Sequence, residues 1–153
     1  MFIKNFKKNI EGQLLLSLLV SLGIIALLAT ISIPYLKKYQ PNLKLNGTAR
    51  DMVSDLRLTQ QLTVTEQVAH QVFFDVTNDC YQIIKTGTPD VVIKSVSMDS
   101  DISFQQVTGL TDNKVIFNYY GSVSESGQVI LVNINSKIAN INIKPSGYVQ
   151  ISQ

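Results

Sequence analysis

The chain has 153 residues with 13 basic and 11 acidic side chains and one histidine, a size that suits one ordinary domain and argues against a two-domain enzyme. Charged residues make up 16% and hydrophobic ones 45%, with a mean hydropathy of +0.16, which excludes a disordered chain and points to a membrane-embedded segment. The single cysteine, Cys80, excludes an intramolecular disulfide framework and a cysteine-clustered zinc site, so the fold must rest on an apolar core.

Charge is unevenly placed. Lys4, Lys7, Lys8 and Glu11 give the first twelve residues a net +2, whereas from Pro41 onward eight bases face ten acids. The excess positive charge therefore belongs to the N-terminal region, and the remainder carries no basic footprint of the kind that binds nucleic acid.

Between Glu11 and Lys37 lie 25 consecutive uncharged residues, Gly12 to Leu36, and the run from Leu14 to Ile33 is almost entirely Leu, Ile, Val and Ala. At 1.5 Å of rise per residue, about 20 such residues span the hydrocarbon core of a bilayer, so this stretch predicts a transmembrane helix. The lysines before it favour an N-terminus in the cytoplasm, with the rest of the chain outside, although Lys37 and Lys38 reduce the asymmetry. A secretory signal peptide is the competing reading. Its apolar stretch should be shorter, about 7–15 residues, and the one cleavage-site candidate here is Thr30-Ile31-Ser32.

A second helical stretch is predicted from Asn42 to about Gln67. Ala49, Met52, Val53, Leu56 and Gln60 fall on one stripe with Leu58 and Leu62 alongside, while Arg50, Asp51, Asp55 and Arg57 lie elsewhere on the wheel. Pro34 and Pro41 each delete an internal hydrogen bond and should kink one long helix or divide it.

After Gln67 the apolar period changes to that of strands. Short β-branched or aromatic runs occupy 70–76, 80–85, 91–96, 102–104, 114–119, 128–134, 138–143 and 148–151, and turn-forming residues separate them at 77–79, 86–90, 124–127, 135–136 and 145–147. Alternation such as Ile141 and Ile143 against Asn140, Asn142 and Lys144 fits an antiparallel sheet with one wet face. The fold class expected is α+β, one long helix covered by antiparallel β-sheet.

At these residues the chain resembles a known family. A Lys-rich leader, Gly12, an uncharged helix from Gln13 to Ile33 and then Pro34-Tyr35-Leu36 resemble the N-terminal segment of type IV pilins and type II secretion pseudopilins; the stretch from Leu18 to Pro34 matches without a gap. The remainder is similar to the GspH/FimT branch. The residues carrying that likeness are Asp55 to Gln61 (DLRLTQQ), Phe117 to Gly121 (FNYYG), Ser126-Gly127 leading into Val129 to Val132, and Ile141 to Val149 (INIKPSGYV).

The resemblance implies a prepilin leader at 1–12, a transmembrane and filament-core helix at 13–36, its amphipathic continuation at 37–67 and a β-rich globular domain at 68–153. It implies that a prepilin peptidase cuts after Gly12 and that Gln13, the new N-terminus, is methylated. Membrane lipid surrounds the helix first; an inner-membrane assembly platform then draws the subunit into a helical filament of other pilins or pseudopilins. Secretion, pilus assembly or DNA uptake would be its use. One departure stands out: Ser17 occupies the position where the family carries glutamate. In the family that carboxylate pairs with the N-terminal amine of a neighbour, a charge otherwise buried alone among apolar helices. Serine can accept a hydrogen bond but cannot neutralise an amine, so a position used once per filament, at its tip or its initiation, is expected. Gln13 likewise replaces the family's usual aromatic residue.

Non-structural readings carry less. His70 is the one histidine, so no histidine pair can hold a metal, and no serine lies in a nucleophile elbow. His70 and Cys80 read as strand residues, and Asp99 and Asp101 as acids that keep a turn solvated. No enzymatic activity and no cofactor are expected. Nucleic acid is a weakly supported partner, because the C-terminal region relevant to DNA-binding relatives holds Lys137 and Lys144 alone. The rival of a different class is an unprocessed, single-pass anchored binding module outside the cytoplasm.

Overall fold

The computed structural model describes residues 3–152, with side chains described for residues 12–152. Most of the expected leader thus lies outside the described side chains, and Met1 and Phe2 lie outside the described residues. Helix α1 is Ile3–Glu66, and neither Pro34 nor Pro41 divides it. The chain divides into two units, Met1–Gln40 and Pro41–Gln153.

The first unit is helical, and its apolar residues have no interior to enter. From Leu14 to Ile33 the large aliphatic side chains are between 51% (Val20) and 68% (Leu15, Leu19) exposed. This is the one helix among the described residues long and apolar enough to cross a membrane.

In the second unit the rest of α1 is a core element. Leu45, Ala49, Met52, Leu56, Thr59 and Thr63 recur at steps of three and four, and all are buried. The expected stripe is corrected at its edges. Leu58 is 42% exposed and Leu62 only half-buried, while Thr59 and Thr63 take the inner positions. Position on the wheel outranks hydrophobicity here, because each threonine returns its hydroxyl to the carbonyl one turn back, to Asp55 O (2.7 Å) and Thr59 O (2.9 Å). Asp55, expected off the apolar stripe, is buried as well.

Eight strands follow: β1 His70–Asp75, β2 Cys80–Lys85, β3 Val91–Ser97, β4 Ile102–Thr108, β5 Lys114–Phe117, β6 Gly127–Asn133, β7 Ile138–Ile143 and β8 Val149–Ser152. They form two antiparallel sheets of four strands, ordered β3-β2-β1-β5 and β4-β6-β7-β8. Alternation decides which side chains enter the core. Val72 and Phe74 of β1, Tyr81 and Ile83 of β2, Val115 and Phe117 of β5, Val129 and Leu131 of β6, and Ile141 and Ile143 of β7 are all buried. Phe74 and Phe104 meet edge to face, with ring centroids 5.9 Å apart, and both belong to the core shared with Leu45–Leu56 of α1. β4 runs four residues beyond its predicted end at Phe104, with an irregularity between Phe104 and Gln106.

Candidate functional site

Two regions concentrate the residues that the sequence singles out. The first is the apolar half of α1. Gly12, Gln13 and Ser17 are all exposed, and a Cβ added at Gly12 would meet nothing within 4 Å. Three hydroxyls on this half are satisfied within the helix. Ser21 donates to Leu18 O (2.8 Å), Thr30 to Ala26 O (2.8 Å) and Ser32 to Leu28 O (2.9 Å). A helix apolar on every face, with the hydroxyls of Ser21, Thr30 and Ser32 bonded to its own carbonyls, suits either lipid or a bundle of like helices.

The second region lies in the body, where three stretches of sequence converge. The side chain of Gln60 on α1 donates from Nε2 to Gly121 O (2.6 Å), beyond the end of β5. Gly121 has φ +80°, and a Cβ there would stand 3.1 Å from Val64 Cγ2 and 3.3 Å from Gln60. Gly147, between β7 and β8, has φ +78°. A Cβ on it would lie 2.1 Å from Gly121 O and 2.3 Å from Gln60 Nε2, a space closed to any side chain. Val123 N donates to Pro145 O (2.9 Å), and Arg57 Nη2 donates to Val149 O (3.2 Å). Thus α1, the turn after β5 and the turn before β8 form one locked junction.

Deeper on the same helix, Asp55 anchors two strands. Tyr81 of β2 donates its hydroxyl to Asp55 Oδ2 (2.7 Å), and Lys94 of β3 reaches both carboxylate oxygens at 2.7 Å. Burial, followed by the adjacent carboxylate, drives the Tyr81 phenol far above its usual range. That keeps Tyr81 a hydrogen-bond donor at every physiological pH. No local pattern brings this triad together; its one trace in the sequence is that Asp55 stands three residues from Met52, within reach of the buried stripe.

At the start of α1's body half, Lys44 Nζ bonds Asp99 Oδ1 (3.0 Å) and Asp101 Oδ2 (2.8 Å). The two acids expected merely to solvate a turn instead tie it to the helix. The Lys44 ammonium holds the Asp99 carboxyl below its usual value, and hydrogen bonds from Lys44 to Asp101 and Asp99 raise the lysine's own. Among the described residues no cluster of three or more His, Cys, Asp or Glu side chains could hold a metal ion.

The strand register separates the other two singled-out residues. His70 pairs with Lys85 at one end of the β1–β2 hairpin and Cys80 with Asp75 at the other, five residues or about 17 Å apart. They cannot form a nucleophile–base pair. Burial, then the Asp75 and Asp79 carboxylates, push the Cys80 thiol's pKa up, away from the reactive thiolate. The His70 ring is fully buried, with Nδ1 2.8 Å from Val68 O and Nε2 3.7 Å from Glu66 Oε2. An open hollow of about 270 Å³ between β5 and the 123–125 loop is lined by Leu110, Thr111, Val115, Val123 and Glu125. Both oxygens of Glu125 accept from Thr111, each at 2.7 Å.

Neither a protein-family model nor a curated protein matches the sequence. Solved structures do match its fold. The chain is similar to the minor pseudopilin EpsH from the type 2 secretion system of Vibrio cholerae, with a TM-score of 0.62 and 9% identity over 71% of this chain and 96% of that one. It is similar also to the type IV minor pilin FimU of Pseudomonas aeruginosa, with a TM-score of 0.61 and 10% identity over 75% of this chain and 92% of that one. The fold is therefore type IV pilin-like, a long N-terminal helix on antiparallel β-sheets.

Proposed function

We propose that this chain is a minor pilin or pseudopilin, a structural subunit of a type IV pilus or a type II secretion pseudopilus. In this reading it is inserted once in the cytoplasmic membrane by α1, with its N-terminus in the cytoplasm and its body outside. A prepilin peptidase cuts after Gly12, Gln13 is methylated, and an assembly platform moves the subunit into a filament with other pilins or pseudopilins. The observation that carries the reading is the helix from Leu14 to Ile33, exposed on every face in a chain whose body has a closed core of its own. Moving such a helix from lipid to a bundle of like helices exchanges one apolar environment for another.

Ser17 supports a position used once, at the tip or the initiation of the filament. Each repeating copy would otherwise leave a neighbour's terminal amine without a carboxylate. Service in protein secretion, pilus assembly or DNA uptake is compatible with this position. For DNA uptake the support is weakest, since Lys137 and Lys144 offer few charges to a phosphate backbone.

Mass analysis of the N-terminus in protein purified from its own host membrane tests the reading. Wild type should begin at Gln13 and Gly12→Ala should retain the leader, while Ser17→Glu should increase incorporation into filaments. Intact leader on wild-type protein overturns the proposal in favour of an unprocessed, membrane-anchored binding module.

A further inference from the structure

The junction built on Gln60 holds two turns outward, and their residues match those of a protein-recognition surface. Turn 118–122 reads Asn-Tyr-Tyr-Gly-Ser and turn 144–148 reads Lys-Pro-Ser-Gly-Tyr. Three tyrosines emerge from them: Tyr119, Tyr148 and, most exposed of all at 79%, Tyr120. The rings of Tyr119 and Tyr120 are tilted against each other with centroids 4.4 Å apart, and Lys144 Nζ lies 5.6 Å from the centre of the Tyr148 ring.

Both turns are held from within. Asn118 Oδ1 accepts from the backbone N–H groups of Tyr120 (3.0 Å) and Ser122 (3.2 Å), and its Nδ2 donates to Ser122 Oγ (2.7 Å). The backbone closes the first turn again through Gly121 N to Asn118 O (2.7 Å) and Asn118 N to Ser122 O (2.9 Å). Gly147 N to Lys144 O (2.8 Å) and Lys144 N to Tyr148 O (2.9 Å) close the second. Little backbone freedom is left to lose on binding.

A monomeric body has no reason of its own to expose three tyrosines on braced loops, since its core is filled without them. Tyrosine supplies large amphipathic contact area through only two side-chain torsions, and with Ser, Gly and Asn it makes up surfaces that bind folded proteins. Charge narrows the partner. These ten residues include one lysine and no acid, in a body where ten acids outnumber eight bases from Pro41 onward. A single cation is too little for a polyanion such as nucleic acid, whose binding needs several neutralised phosphates; it suits one carboxylate at the edge of an aromatic contact.

We infer that the paired turns 118–122 and 144–148 are a docking surface for another folded protein of the same assembly, one that seats Tyr120 and sets a carboxylate against Lys144. That the partner is sought in a filament rests on the subunit reading above; the surface itself does not.

A photo-crosslinking residue at the exposed Ser146 of the full chain, expressed in its own host, tests this. The expected result is one protein adduct whose crosslinked segment contains an Asp or Glu. Its yield should fall about tenfold in Tyr120→Ser and about fivefold in Lys144→Glu. Changing the mapped acid to lysine should restore the yield in Lys144→Glu. An adduct spread over many proteins, an adduct removed by nuclease or glycosidase, or a yield indifferent to Lys144→Glu would overturn the inference. The N-terminus of the same sample separates the two proposals. Protein processed at Gly12 with no adduct keeps the subunit and loses the surface, and unprocessed protein with the charge-dependent adduct does the reverse.

Discussion

Both halves of α1 carry large aliphatic side chains, and those side chains meet opposite fates. From Leu14 to Ile33 every large aliphatic side chain is exposed, whereas Leu45, Met52 and Leu56 are buried almost completely. The difference is in composition and arrangement together, since no charge lies between Leu14 and Ile33 whereas Lys44, Arg50, Asp51, Asp55, Arg57 and Glu66 stand among the residues of the second half. The first half is apolar around its whole circumference and needs an apolar environment from outside the chain, lipid or other helices. The second half confines its apolar residues to one stripe, and the sheets of the same chain cover it. One half thus finds no cover among the described residues of its own chain and the other is packed into the core, and substitutions should separate them sharply.

The largest effect is expected at the junction. Gly147→Ala places a Cβ against Gly121 O in a backbone conformation hostile to side chains, and should cost the body about 3–5 kcal/mol in equilibrium denaturation of the full chain in detergent. Leu56→Ala should cost about 3 kcal/mol in the same assay by emptying a packed site. Leu22→Ala should leave the body's melting temperature unchanged, and an equal loss in both variants would erase the distinction drawn here. Leu22→Arg inverts that contrast: it should leave the body intact but raise the cost of membrane insertion by about 2.5–3.5 kcal/mol, read as loss of protein from the membrane fraction.

Asp55→Asn should cost about 2 kcal/mol, because Lys94 loses its anion and Tyr81 its strongest acceptor. Tyr81→Phe should cost less than Asp55→Asn, since Lys94 still satisfies the carboxylate; a larger loss would mean that the phenol, not the ion pair, anchors β2 to α1.

The smallest effect concerns pH. The ammonium of Lys85 holds the Glu66 carboxyl below its ordinary value, as Lys44 does for Asp99. Folded values lower than unfolded ones mean that this stabilisation is complete above about pH 5 and disappears as pH falls through the folded values. Lys44 is raised, so its share is complete below about pH 10 and is lost as pH rises further. These groups are exposed. Lys44→Ala should therefore reduce the drop in melting temperature between pH 6 and pH 3 by only about 1–2 °C, and high salt should mask it.

Local pattern made much of the molecule legible. The apolar run, the helical stripe through Ala49, Met52 and Leu56, and all eight strands follow from periodicity, and their ends moved by only a few residues except at β4. The family resemblance rests on the N-terminal segment and on four stretches of the body, three of which, DLRLTQQ, FNYYG and INIKPSGYV, look unrelated along the chain. The structure supplies their common reason: Gln60, Gly121 and Gly147 occupy one junction in which each excludes any bulkier neighbour. Along the sequence Asp55 falls off the apolar stripe, and a carboxylate on a helix is ordinarily a solvent-facing residue. Only the approach of Tyr81 and Lys94 from other strands makes its burial tolerable.

By itself the sequence determined which segments are helix or strand and that the first helix needs an apolar environment, because periodicity and unbroken hydrophobicity are properties of neighbouring residues. Adjacent hairpins such as β1–β2 and β6–β7 belong to the same level. The tertiary structure alone decided that the strands divide into two sheets, with β5 beside β1 and β4 beside β6. Those pairings join residues tens of positions apart, and a strand's own alternation is satisfied equally by any partner that covers its apolar face. The same holds for the ion pairs and the glycine contacts: each depends on an approach between distant segments that no local pattern records.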